Sequence, residues 1–203
     1  MRFVGTLIMG FVLVLIIAAV GFLFVGGTEQ AVIETEPGRI VITFFGREAP
    51  GHVKNFKKLS RDGFYDGTAF FRAVPGFVVQ GGDPRTRDDN PYNDGTGGPG
   101  YTLEPEFNEI PHQRGIVSMA RGERLDTAGS QFFICLDRLP ALDRQYTVFG
   151  QVVEGIEVCD AIAARPHYSD DPMLYEHLRE PVVVRSVTIQ TVYRLPLIGE
   201  FTL

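Results

Sequence analysis

Side chains able to do chemistry are sparse in this chain, and two stand out by their setting. Arg72 and Gln80 fall in the stretch from Thr68 to Asp83, which reads as two short strands, Ala69 to Val74 and Phe77 to Gln80, turned at Pro75 and Gly76. Proline presets one turn position and glycine takes the positive φ of the next. Strand side chains alternate between faces, so Phe70 is expected to share a face with Arg72, and Val78 with Gln80. Facing a core, Arg72 would bury a charge with no obvious acidic partner, at a cost of roughly several kcal/mol. The plain alternative is an exposed guanidinium, which is common. What such a residue can offer is a permanent charge and a rigid fork of N–H donors.

Other chemistries find little support. Ser130 lies outside any Gly-x-Ser-x-Gly elbow. The glycine-rich run from Asp83 to Tyr101 is followed by no Lys-Ser/Thr pair and opens no helix, so it reads as a surface connection and not a phosphate cradle. His52, His112, His167 and His177 are scattered and read as surface residues, and neither a metal nor a cofactor is expected. An oxidising compartment would allow Cys135 and Cys159 to pair, but each sits in an apolar pattern and reads as a small buried core residue.

A chain of 203 residues suffices for one domain with a substantial core. Phe3 to Val25 carries no charged residue and matches the roughly twenty residues a membrane helix needs. Arg2 precedes it and Glu29, Glu34 and Glu36 follow, which places the N-terminus in the cytoplasm and the rest of the chain outside. The expectation is a single-pass anchor with an extracytoplasmic domain. The alternative is a secreted protein released by signal cleavage near Gly21 or Gly27, although the apolar run exceeds the usual signal core of about 7–15 residues. A formal net charge of −6 argues against nucleic acid as a partner.

Gln30 to Glu36 and Arg39 to Phe45 form a predicted hairpin about Pro37 and Gly38. Val53, Phe56 and Leu59 recur at helical spacing within 49–62, as do Ile156, Cys159 and Ile162 within 155–163. Further apolar strands are expected over 115–120, 131–136, 146–153 and 181–190, with a polar irregular segment over 165–179 and no period beyond Tyr193. Many short strands, turn-rich joints and only two helices indicate a mainly β fold, an antiparallel sheet closed as a barrel. The expected organisation is an anchor over 1–27, a barrel domain over 28–192 and a tail over 193–203.

Several blocks, taken in order, carry a family resemblance: GFYDG at 63–67, FRAVPGFVVQGGDP at 71–84, GTGG at 95–98, SMA at 118–120, GSQFFI at 129–134 and TVFG at 147–150. Together they resemble the cyclophilin family of peptidyl-prolyl cis-trans isomerases over about residues 30–190. The resemblance implies a closed eight-stranded antiparallel barrel capped by two α-helices, with the active groove on its outer face. It implies that Arg72 is the catalytic arginine, assisted by Gln80. Phe77, Val78, Phe133 and Leu142 match the walls of a proline pocket, and Gln131 matches a second hydrogen-bonding glutamine. Ala120 and Arg121 match the edge along which the substrate backbone lies, and Tyr146 completes the binding set. The chain departs from the pattern at Phe71, where histidine is common, at Ala141, where an aromatic is common, at Arg121 for asparagine and at Tyr146 for histidine.

The amide before proline rotates slowly because resonance stiffens its C–N bond, with a barrier of ~18–20 kcal/mol. Twisting frees the prolyl nitrogen lone pair, which a fixed guanidinium can reach only in the transition state. The partners implied by the resemblance are proline-containing polypeptides; the apolar N-terminal run adds a membrane as a partner, and the domain is expected to be monomeric. The alternative is a proline-binding module or holdase with little turnover.

Overall fold

The computed structural model describes residues 27–168, 170–195 and 199–202; the anchor expected over 1–27 therefore lies almost entirely outside the described residues. Among those described, no helix is long and apolar enough to cross a membrane.

Residues Gln30–Ile189 form one compact unit. Its strands are β1 (Thr28–Thr35), β2 (Arg39–Phe44), β3 (Ala69–Val74), β4 (Val78–Gly81), β5 (Ile116–Met119), β6 (Phe132–Cys135), β7 (Val148–Glu154) and β8 (His177–Leu195), the ends of β1 and β8 running beyond the unit. They are ordered β1-β2-β7-β5-β6-β4-β3-β8, and β1 also pairs with β8, so the sheet closes into an eight-stranded barrel. Neighbouring strands run antiparallel. Two helices, α1 (Pro50–Arg61) and α2 (Ile156–Ala163), complete the fold.

The predicted turns hold for the stated reason: Gly38 and Gly76 both take positive φ. Helix α1 buries Val53, Phe56 and Leu59, the three residues its spacing marked. Phe56 is fully buried and packs its ring 5.0–5.4 Å from Tyr65, Phe149 and Phe132, a contact set of the kind that makes aromatic residues dominate core energetics. The N-terminus of α1 has Pro50 in its first turn and no side-chain cap from Ala49. A distant carboxylate replaces the cap: Glu106 accepts from the Gly51 and His52 amides at 3.0 and 2.9 Å and pairs with His52 Nδ1 at 2.7 Å. Burial pushes the Glu106 carboxyl upward, but those hydrogen bonds outweigh it and hold the group below its ordinary range.

Two expectations about side chains are corrected. His52 and His112 are core residues, 1% and 0% exposed. Each is tolerated because a carboxylate receives its Nδ1, Glu106 in one case and Asp143 in the other. Cys135 and Cys159 are free and buried as expected, and burial pushes both thiols to about 12. The second unit contains the far end of β8, which pairs antiparallel with β9 (Gly199–Thr202), Val192 opposite Thr202 and Leu195 opposite Gly199. A boundary after residue 192 thus cuts a strand, and the tail holds a strand of four residues, too short to display a period.

Candidate active site

The sheet pairs Arg72 with Gln80 and Val74 with Val78, which puts Arg72, Gln80 and Val78 on one outer face. Phe70 is not with them. It and Ala73 are fully buried in the barrel core, whereas Arg72 is half-exposed. Simple alternation fails because the pairing of β3 with β8 is irregular between Phe70 and Arg72, jumping from Val182 to His177. A bulge of this kind re-aims a side chain at a sheet surface. Arg72 also has the acidic partner that the local sequence lacks: Nε donates to Glu176 Oε2 at 2.6 Å, and Nη2 reaches the same carboxylate.

From Arg72 a hydrogen-bonded chain crosses the sheet. Nη1 donates to Gln80 Oε1 at 3.0 Å, and Gln80 Nε2 donates to Gln131 Oε1 at 3.0 Å. Gln131 Nε2 in turn donates to the Gly97 carbonyl at 2.9 Å and to Asp83 at 3.3 Å. Each amide flip is thereby fixed by its neighbour, since an oxygen must face one partner and an NH2 group the other.

Beside this chain lies a pocket of about 200 Å³ lined by Arg72, Phe77, Val78, Gln80, Ala120, Arg121, Phe133, Leu142 and Tyr146. Nine of the ten residues predicted for the site meet there. The tenth, Gln131, lines an adjoining groove of about 620 Å³, which shares Gln80, Ala120 and Arg121 with the pocket and is walled by residues 95–102. The pocket floor is a small apolar cluster separate from the barrel interior, with Val78, Ile116, Phe133, Cys135 and Val148 buried and Phe77, Leu142 and Tyr146 packed against them. Phe133 meets Tyr146 edge-on at 5.3 Å and stacks on the buried His112 at 6.1 Å. Burial depresses the His112 imidazole despite Asp143, and Nε2 is held 2.8 Å from Ser118 Oγ. Arg121 lies over the Tyr146 ring at 4.8 Å and donates to the Gln145, Gly122 and Glu123 carbonyls, so it shapes the rim more than it offers a free charge. Phe71, at the position where histidine is common, is buried against His177.

Glu176, His112 and Asp83 were not singled out from the sequence. Glu176 stands 104 residues from Arg72 in a segment without a period, and no local pattern announces it. Asp83 is fully buried at the root of the loop, accepting from the Arg85 and Gly97 amides at 2.7 and 3.0 Å.

Burial, then the charges of Asp83 and Asp88, raise the Asp94 carboxyl to about 7. The folded protein therefore holds a proton there that the unfolded chain releases near the ordinary value of 3.8, so Asp94 makes stability fall as pH rises from about 4 to about 7 and then level off. Asp94→Asn should leave the melting temperature unchanged at pH 4 and raise it increasingly up to pH 7, as followed by thermal unfolding across that range. A constant difference at all pH values would contradict this titration.

A closed antiparallel barrel with an arginine beside an apolar pocket on its outer face defines a barrel protein with a peptide-sized groove. Comparison with known proteins narrows the class. The family described as cyclophilin type peptidyl-prolyl cis-trans isomerase matches residues 31–189. A peptidyl-prolyl cis-trans isomerase of Synechococcus elongatus is 52% identical over 122 residues, covering 60% of this chain and 79% of the relative. Peptidyl-prolyl cis-trans isomerase B of Bacillus subtilis is 47% identical over 121 residues, covering 59% and 79%. A crystal structure of a Cryptosporidium parvum cyclophilin type isomerase in the presence of the dipeptide Ala-Pro superimposes with a TM-score of 0.69 at 31% identity, covering 79% of this chain and 98% of that one. The chain belongs to the cyclophilin type peptidyl-prolyl cis-trans isomerase family, and its activity is the cis-trans isomerisation of peptidyl-prolyl bonds.

Proposed function

We propose that Arg72 is the catalytic group of this isomerase, that Gln80 orients it, and that the pocket of Phe77, Val78, Phe133, Leu142 and Tyr146 holds the prolyl ring. The observation that carries this reading is the meeting of a doubly anchored guanidinium with an apolar pocket of about 200 Å³ on one face of the barrel. A flat imide spreads its nitrogen lone pair into the carbonyl and is a poor acceptor there. A twisted one localises it, and a donor already in place stabilises that state selectively. Rotation breaks no σ bond, so the proposed step uses no nucleophile and transfers no proton. Ala120, Arg121 and Gln131 bound the adjoining groove and receive the peptide on one side of the proline; a proline-containing polypeptide is the substrate, and the domain acts as a monomer. The test is exchange spectroscopy on an X-Pro peptide: added protein should broaden and merge cis and trans signals, and unchanged signals at enzyme concentrations that bind the peptide would leave a holdase.

The clients in this reading are exported proteins. The N-terminal segment anchors the chain, the isomerase domain lies outside the cytoplasm, and the residues beyond Ile189 are a C-terminal extension. Support comes from the charge-free run from Phe3 to Val25 behind Arg2. Mass measurement on protein from the membrane fraction should find the N-terminal segment intact. A mature chain lacking about 20–27 residues would establish the secreted form instead.

A further inference from the structure

Arg72 is held from two sides, and only one of them belongs to the pocket. Gln80 takes an Nη1 hydrogen at 3.0 Å from within the groove. On the opposite edge, Nε donates to Glu176 at 2.6 Å and Nη2 reaches the same carboxylate oxygen. We propose that Glu176 is a positioning residue for the isomerisation: its carboxylate fixes the plane of the Arg72 guanidinium so that the remaining N–H groups are presented to the twisted imide. The inference rests on the reading of Arg72 as the catalytic group.

The backbone around Glu176 is built to hold that carboxylate in place. Glu176 accepts from the Ala73 amide at 3.0 Å through its own carbonyl, directly beside Arg72. The next residue, His177, lies opposite Arg72 in the β3–β8 ladder, and its amide donates to Leu174 at 2.7 Å. Leu174 is buried and His167 Nε2 lies 2.7 Å from the Ala73 carbonyl, so both arms of this turn are tied to β3 or to the core. Carboxylate and guanidinium are both partly shielded, with 36% and 26% of their side chains exposed. A surface ion pair in full solvent would hold little; one whose backbone is registered to its partner's own strand loses less entropy on forming.

The arrangement also suits the demand of the reaction. A guanidinium has five N–H donors. Glu176 engages the Nε and Nη2 side and Gln80 one Nη1 hydrogen, which leaves two hydrogens for substrate. The imide nitrogen lone pair is an uncharged acceptor, so direction of the donor counts for more than the full cationic charge that Glu176 partly offsets. A long side chain freed at one end samples several rotamers, and displacement of a catalytic group by about 1 Å can cost on the order of 10²-fold.

The experiment compares Arg72→Ala, Glu176→Ala and Glu176→Gln in the full-length protein, reading kcat and KM by peptide exchange and the Arg72 Nε–H signal by ¹⁵N NMR. Glu176→Ala should lower kcat about tenfold with KM changed less than about twofold, as expected for an interaction that matters in the transition state. Glu176→Gln keeps an acceptor oxygen for Nε–H and should retain most of kcat. The protected Nε–H signal should persist in the glutamine variant and vanish in the alanine variant. If Arg72→Ala abolishes turnover but Glu176→Ala does not change it, the positioning role falls and the catalytic reading of Arg72 stands. If Glu176→Gln falls as far as Glu176→Ala, or all losses track a lowered melting temperature, Glu176 is a structural residue and the inference is overturned. If Arg72→Ala itself turns over normally, both readings fail together.

Discussion

Arg72→Ala is expected to lower kcat by about 10²–10³-fold, the usual consequence of deleting one preorganised donor aimed at transition-state charge or lone pair, while peptide affinity changes less than about threefold. Affinity should survive because the apolar walls of the pocket are other residues: Val78 and Phe133 are 2% and 5% exposed and pack with Tyr146 and Leu142 in one apolar cluster. The measurement pairs exchange spectroscopy on an X-Pro peptide with a binding titration of the same peptide. Arg72→Lys should recover little, since one ammonium cannot meet Glu176 and Gln80 from opposite edges and still present a donor in a fixed plane. Equal losses in kcat and affinity would mean that Arg72 binds ground and transition states alike, and its assigned role would be wrong.

That such an arginine could be picked out from sequence owes more to its neighbours than to its own strand. The hairpins at Pro37–Gly38 and Pro75–Gly76 and the two amphipathic helices are local events, written in turn residues and in three-residue spacing, and they appear where expected. The pocket residues were legible through the family resemblance, and the structure gathers them. The face of Arg72 was not legible. Alternation assigned it the face of Phe70, but the irregular pairing of β3 with β8 separates the two, and that irregularity depends on a strand more than 100 positions later. Long-range partners explain the other misses. His52 and His112 read as surface residues because the carboxylates that make their burial affordable, Glu106 and Asp143, lie 54 and 31 positions away. Glu176 stayed hidden for the same reason.

Asp83 should matter as much as Arg72, in the opposite measurement. Its carboxylate is fully buried and accepts three N–H groups, from Arg85, Gly97 and Gln131. Among the described residues no side-chain cation pairs with it, and the loop closes so tightly that a Cβ at Gly97 would lie 2.1 Å from Asp83 Oδ1. Asp83→Ala strands those donors at the root of the segment that walls the 620 Å³ groove. Leaving buried donors unpaired costs about 1–3 kcal/mol each where water cannot replace the partner, so a loss of about 3 kcal/mol is expected, with protease sensitivity appearing over residues 84–102. Asp83→Asn is no rescue: both carboxylate oxygens accept, so an amide NH2 must face an N–H donor. Peptide affinity should fall about tenfold, one such lost interaction's worth, because Gln131 and Gly97 lose their common support. The step at Arg72 survives in the fraction that binds, since Glu176 still holds the guanidinium from the far side. Removal of the Asp83 charge should also let Asp94 titrate below about 7, one cause of its raised value being gone. A variant with intact loop protection and intact affinity would show that the groove wall stands without its buried carboxylate, and that the chain from Asp83 to Arg72 carries no order between them.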